Sequence, residues 1–521
     1  MRAGQLEIEW QFDVDRLDRV ENWLKETSEH PSFSLVREGV KNLVDTYYDT
    51  PDWRILRAGY ALRVRQVGAR AEATLKALVP TGKGARQRQE ISEPLSRPSD
   101  NRTTPLARLL LATGAVGARV RAVCGAQPLR VLFSPRTMRL VYALHHDQAR
   151  AAEVVLDETV IPTATDRREL LRVEVELDDA PLDVVEPFVI ALRKACALRP
   201  TKLTKFETGL KAQKLGREAR IALRPDVGSQ KIKPTMTLGD LALVALRKRA
   251  AMLVLIEPSA RMGDDIEAAH KMRVATRSIR AALRLFADAL PQPILALTDE
   301  LKWLGGLLGA VRDTDVLIER INAWKATGNP KTREWLLTLL NDQRIVAQRA
   351  LLDGFNSSRY AQLIDALARY LRAPPALPPK AKIKALDVVP SLMMKQYRKL
   401  RKLGDALTPD SLPADYHQLR IVEKRLRYGL EFVDVLYGKP ARRMVLRAAE
   451  LQDLLGQMQD THTAVVWLRG LDAPAELRAQ HVKLARVWEK QAAQLLAQFP
   501  RTYKALRRRS KKSRITEGIV D

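Results

Sequence analysis

The sequence predicts an α+β chain of more than one domain. An N-terminal antiparallel β tunnel or barrel with flanking helices is followed by an all-α domain of two duplicated helical bundles. Three observations carry this expectation. Up to about residue 210 the chain is a series of segments in which polar and apolar residues alternate. From residue 236 to about 509, apolar residues recur with the period of about 3.6 that marks helices. Inside that second region a basic motif returns after a fixed interval. His417, Arg420, Lys424 and Arg427 repeat the spacing of His270, Arg273, Arg277 and Arg280 at an offset of 147 (417 − 270). Gly309 and Asp313 return as Gly456 and Asp460 at the same offset. Two motifs sharing one interval indicate duplication of a helical unit.

The boundaries that follow are a tunnel domain at 1–210, a linker at 211–235 and a helical domain at 236–509. Its repeats span about 236–373 and 382–509, divided by the prolines of PPALPPKAK, and a basic tail occupies 510–521. At 521 residues the chain exceeds what one core fills. Its net charge is +27, unevenly placed. Residues 1–210 hold 32 Lys and Arg against 29 Asp and Glu, leaving 56 against 32, or +24, for the remainder. The second region therefore carries the field that draws anions. Cys124 and Cys196 make neither a disulfide framework nor a metal site, and read as small core residues in a reducing compartment. The start, MRAGQLEIEW, has no signal-peptide core. The most apolar stretch, Leu241–Ile256, is broken by Arg247, Lys248 and Arg249, so no membrane span and a cytoplasmic location are expected.

In order, Leu6–Phe12 alternates, with Glu7, Glu9 and Gln11 on one face, and 15–27 reads as a helix. Further strands are expected at 61–67 (Arg63 and Arg65 on one face), 71–78 (Glu72, Thr74, Lys76), and 86–92 (Arg86, Arg88, Glu90). Others follow at 129–133, 137–144, 152–156 leading to Asp157, and 170–177 (Arg172, Glu174, Glu176), with Arg136 at the join of two. Nearly every polar face carries acids or bases. About eight such strands can close on themselves. A closed lumen then gathers both signs of charge, and unpaired buried charge is costly. Phosphates gripped by the bases, with Mg²⁺ or Mn²⁺ bridging to the carboxylates, satisfy both.

Helices are expected at 238–256, 266–290, 296–310, 315–326, 332–352 and 358–371, then at 390–403, 416–436, 442–455, 461–471 and 474–497. On the second of these, His270, Arg273, Arg277, Arg280 and Arg284 fall within an arc of about 80°. Two such cationic ladders facing each other form a groove for a polyanion. His270 and His417 lack a second ligand at i+3 or i+4, so each is read as a phosphate donor rather than a metal ligand. Asp313 and Asp460 are read as ending one helix and capping the next, or as orienting the bases. His145 and His146 are assigned to a solvated turn, and Trp303, Trp324, Trp335, Trp467 and Trp488 to bundle core. The ladders hold few aromatics for base stacking, chiefly Tyr428, so no specific nucleic-acid partner is expected.

Between residues 4 and 210, an ordered set of segments resembles the CYTH domain, the triphosphate tunnel metalloenzyme family. They are EIE (7–9), YDT (48–50), LRVR (62–65), TLK (74–76), RQE (88–90), VLD (155–157), EVEL (174–177) and KLTK (202–205). The resemblance implies a β tunnel that binds a triphosphate group. Arg63, Arg65, Lys76, Arg88, Arg136 and Lys205 would grip phosphates, and Glu7, Glu9, Asp157, Glu174 and Glu176 would hold Mg²⁺ or Mn²⁺. One departure stands out: Gln11 occupies the place of the lysine usual in the first strand, ExExK. Residues 236–505 resemble the CHAD domain through HKMR (270–273), HQLR (417–420) and their trailing bases. That resemblance implies binding of inorganic polyphosphate by His270, Arg273, Arg277, Arg280, Arg284, His417, Arg420, Lys424 and Arg427. Together they imply a metal-dependent inorganic triphosphatase coupled to a polyphosphate-binding domain, associated with polyphosphate granules where these exist. The alternatives are a weak or inactive phosphate-binding tunnel, or non-specific nucleic-acid binding by the basic half.

Overall fold

A computed structural model describes residues 5–507 except 28, 31–32, 80–84, 97–103, 179, 325–329 and 409. The basic tail at 510–521 lies outside the described residues. The chain divides into two compact units, one ending at Pro225 and one beginning at Asp226. The segment read as linker holds a helix at Gly216–Ala222.

In the first unit eight main strands close a barrel: β1 (Gln5–Asp13), β2 (Phe33–Asp49), β3 (Tyr60–Val67), β4 (Arg70–Ala77), β5 (Arg86–Leu95), β6 (Arg136–His146), β7 (Ala149–Pro162) and β8 (Arg167–Leu177). All pair antiparallel in the order β8-β7-β6-β2-β3-β4-β5-β1, and β1 pairs again with β8 to close the ring. Alternation works as expected on β1: Trp10 and Phe12 face outward into a core with α1 (Leu17–Glu26) and α2 (Leu182–Ala195). Glu7, Glu9 and Gln11 face inward and line the cavity. Both cysteines are buried and unpaired in disulfides.

Two expectations need correction here. The longest strand, β2, was not anticipated. A bulge between Arg37 and Gly39, where Gly39 has φ +124°, shifts its alternation halfway. His145 and His146 end strand β6 and are partly buried, rather than lying in a solvated turn.

The second unit is helical. Its long helices are α3 (Leu238–Met262), α4 (Ile266–Leu285), α5 (Leu297–Ala323), α6 (Pro330–Asn356), α7 (Ser358–Arg372), α8 (Ala385–Gly404), α9 (Pro413–Tyr437), α10 (Lys439–Arg469) and α11 (Arg478–Arg507). Adding 147 to the starts of α3 and α4 gives the starts of α8 and α9. The backbone shows a local two-fold relation between the copies. Thr237 bridges its own equivalent, Lys384. Leu238 N donates to Ile383 O at 2.8 Å, and Ala385 N to Met236 O at 2.9 Å, two bonds exchanged by the same offset. Helices α4 and α9 pack together.

Helix α5 is continuous where a break was expected near 310–315, and α10 is continuous across 455–461. The glycines there lie inside the helices, each facing a ladder arginine at ordinary contact distance. A Cβ at Gly309 would lie 3.5 Å from Arg273, and one at Gly456 3.5 Å from Arg420. Trp488 is buried in the core that α5, α6, α10 and α11 share, with Trp324, Trp335 and Trp467 partly buried against it; Trp303 packs on the main core. No helix among the described residues is long and apolar enough to cross a membrane.

Candidate functional site

The barrel encloses a cavity of about 360 Å³. Strand register brings its charges side by side: Glu9 opposes Glu176, Gln11 opposes Glu174, Glu7 opposes Arg88, and Lys76 opposes Glu90. Lys76 stands among three carboxylates, 2.5 Å from Glu7, 3.2 Å from Glu9 and 3.7 Å from Glu90. Arg63 lies 3.8 Å from Glu90, and Arg88 3.9 Å from Glu9. Arg65 makes a two-pronged pair with buried Asp45, at 2.8 and 2.9 Å.

Lys205 enters from the first turn of a helix, Lys205–Ala212, started by a capping box between Thr204 and Glu207. The preceding loop is fixed by Arg172, which is buried, donates to Leu203 O at 2.6 Å and pairs with Asp13 at 3.0 Å. Lys205 bonds to Asp157 and lies 3.7 Å from Glu174.

One predicted residue falls elsewhere. Arg136 is exposed at the start of β6 and does not line the cavity. Three residues on, the inward face of the same strand carries Arg139, bonded to Asp157 through two 2.7 Å contacts and to Glu174 at 3.0 Å. Asp157 is fully buried beneath Arg139 and Lys205, which engage both its oxygens. From the inward face of the barrel, which it shares with Arg139 and Glu153, it holds those cations in place. Asp45, Lys41, Glu72, Glu90 and Glu153 also belong to the site. Lys41 and Asp45 escaped notice because β2 was unseen.

Gln11 is held on three sides. It donates to Glu9 at 2.9 Å and Glu174 at 3.3 Å, and accepts from Arg86 at 3.0 Å. A guanidinium from the adjacent strand thus stands beside the position that lacks the expected lysine.

The carboxylates separate into two classes. Burial opposes ionisation of Asp45, Asp157 and Glu174, but Arg65 and Arg63 at the first, and Lys205 and Arg139 at the others, hold all three below their usual range. Burial pushes Glu7 up to about 8 and Glu176 to about 7, because Lys76 only partly offsets it and neighbouring glutamates add to it. That end of the cavity holds more carboxyl groups than its fixed cations keep ionised. Among the described residues no three His, Cys, Asp or Glu side chains already form a metal cage, since Lys76 stands between Glu7 and Glu9.

In the helical unit the two ladders converge at the local two-fold. Arg273, Arg277, Arg420 and Lys424 form a cluster: burial, then Arg277 and Arg420, push Lys424 down to about 6. Burial together with neighbouring arginines also lowers Arg277. Arg420 is lowered by burial and by Arg273 despite Asp460 nearby. Asp313 and Asp460 lie within helices, 3.4 Å from Arg273 and 3.8 Å from Arg420 respectively, so they orient the bases and cap nothing. His270 is half-buried near Arg312, and burial followed by that charge lowers it. His417 is exposed and bonds Gln459 at 2.9 Å. Arg427 is not free: Glu431 holds it at 2.5 Å and Gln452 at 2.8 Å. Glu423 is fully buried with no bond to either oxygen, and burial raises it to about 8 against the pull of Arg427, Lys424 and Arg420.

Comparison with known proteins agrees with this division. Residues 6–207 match the CYTH domain and residues 244–469 the CHAD domain. An uncharacterized protein of Mycobacterium tuberculosis, found in two strains, is 25% identical over 481 residues, covering 88% of this chain and 87% of its own. The CHAD domain of the plant Ricinus communis is 27% identical, with a TM-score of 0.42, covering 57% of this chain and 96% of that one. PptA from Streptomyces chartreusis is 23% identical, with a TM-score of 0.43, covering 52% and 100%. The chain therefore carries a CYTH domain at residues 6–207 followed by a CHAD domain at residues 244–469.

Proposed function

We propose that the N-terminal tunnel hydrolyses inorganic triphosphate with a divalent cation, Mg²⁺ or Mn²⁺, and that the helical domain binds polyphosphate. The observation that carries the first part is the convergence of Arg63, Arg65, Lys76, Arg88, Arg139 and Lys205 on one cavity with a surplus of carboxylate at Glu7 and Glu176. The bases grip the phosphate oxygens and stabilise charge on the departing diphosphate. Glu7, Glu9, Glu174 and Glu176 are the residues that would hold the metal, whose bound state supplies charge neutralisation and a more acidic water. Asp157 keeps Arg139 and Lys205 aimed inward, and Arg172 keeps the Lys205 loop in register. Gln11, fixed by Arg86, is placed to hydrogen-bond the attacking water.

The second part rests on the cluster of four basic side chains about the two-fold. A polyphosphate chain reads the same in either direction, as does a site built from two equivalent halves. Tripolyphosphate and ATP assayed side by side with Mg²⁺ and Mn²⁺ test the tunnel. Metal-dependent phosphate release favouring tripolyphosphate is expected. A preference for ATP would overturn the assignment of substrate, and release from neither would leave a binding-only tunnel.

A further inference from the structure

The duplication makes the centre of the basic cluster symmetric, but the symmetry fails towards its two ends. At one end stand Arg280 and Arg284 of α4 with Arg425 of α9. Among the described residues none of the three forms an ion pair or hydrogen bond, and the buried Nε atoms of Arg280 and Arg425 have no partner. Burial, and then the charge of Arg284, lower both. Asp299 is the one acid whose field reaches Arg280.

The 147-residue offset converts these three into Arg427, Glu431 and Ser278 at the other end. There Glu431 takes Arg427 at 2.5 Å. Arg249 lies over the Phe432 ring, 3.2 Å from Ser278 and 3.9 Å from Glu431. One end therefore offers three uncompensated guanidiniums; the other offers two with a carboxylate between them.

Linear polyphosphate has the matching asymmetry. Inner units carry one negative charge, whereas a terminal phosphate gains a second above a pKa of about 6. Resting on the polyphosphate reading above, we infer that this domain captures a chain terminus, its doubly charged end phosphate seated among Arg280, Arg284 and Arg425. The central cluster then holds the inner units, and the neutralised end discourages a second terminus.

The test uses the full-length protein and a linear polyphosphate of defined length in two forms, one with free ends and one with each end capped as a singly charged phosphoramidate. Competition against a labelled chain at about pH 7.5 should show the free-ended form binding at least about tenfold tighter, the scale of one charge-assisted contact. In Arg280→Gln/Arg284→Gln/Arg425→Gln that preference should vanish while capped chains still bind. Glu431→Arg should strengthen binding of free ends, since it removes the neutralising carboxylate, and this gain does not depend on the triple variant folding. Equal binding of capped and free chains overturns the inference, as does a preference that survives in the triple variant. Failure of the underlying reading looks different: Arg273→Gln/Arg420→Gln would then leave polyphosphate binding of both forms undiminished.

Discussion

Replacing Arg273 and Arg420 together with glutamine should cut both the strength and the salt dependence of polyphosphate binding. The two arginines are related by the duplication, and each is tethered only to a half-exposed or exposed aspartate, at 3.4 and 3.8 Å. The aspartates are exposed and the arginines repel their basic neighbours, so the variant should unfold like the natural chain. For a flexible single-stranded polyanion, each ionic contact contributes about 0.7 to the slope of log affinity against log salt. Arg273 and Arg420 are two of these contacts, so the slope of the double variant should be shallower by about 1.4. Each lost charge-assisted contact also costs about 1.5–3 kcal/mol, so affinity at low salt should fall by about 100-fold or more. Asp313 and Asp460, left without their partners, add repulsion in the same direction. Titration calorimetry over a salt series from about 0.05 to 0.3 M reads both quantities. An unchanged slope would refute the reasoning and place binding on other bases of the chain.

Other outcomes follow from the same geometry. Gln11→Lys should raise tripolyphosphate turnover, by up to about tenfold when combined with Arg86→Gln and by less alone, because the Arg86 guanidinium already occupies the neighbouring space; unchanged turnover in the double variant would remove Gln11 from the mechanism. Glu423 holds its proton more tightly folded than unfolded, so the stability it contributes at low pH is lost as pH rises from 4.5 towards about 8. Thermal unfolding of Glu423→Gln should match the natural chain near about pH 5 and exceed it by on the order of 2 kcal/mol near about pH 8; a constant difference would contradict the burial argument. Lys424, pushed down to about 6, is mostly neutral at pH 7 in the free chain. Polyphosphate binding at that pH should therefore take up a proton, detectable by calorimetry in buffers of different ionisation enthalpy, and absent in Lys424→Gln.

Where alternation or periodicity ran unbroken, the sequence was a sufficient guide. β1 places Glu7, Glu9 and Gln11 inward because apolar residues separate them and pack on α1 and α2. The 147-residue offset reappears as backbone bonds between equivalent residues. Failures arose where one local signal had two physical causes. A bulge at Arg37–Gly39 reversed the facing of β2 and hid Lys41 and Asp45. Arg136 and Arg139 sit on opposite faces of one strand, and spacing alone does not say which face is the lumen. Gly309 and Gly456 lie inside continuous helices, though glycine in a helical pattern equally signals an end. Ion-pair partners such as Glu431 for Arg427 depend on which side chains meet in space.

Phosphate release from tripolyphosphate by the full-length chain, compared with Lys76→Met in the presence of Mn²⁺, tests the tunnel most directly. Lys76 touches Glu7, Glu9 and Glu90 and is the cation central to the cavity. The account predicts metal-dependent turnover by the natural chain and at least about 100-fold less by the variant. Equal rates in the two proteins, or no release with any divalent cation, would contradict it.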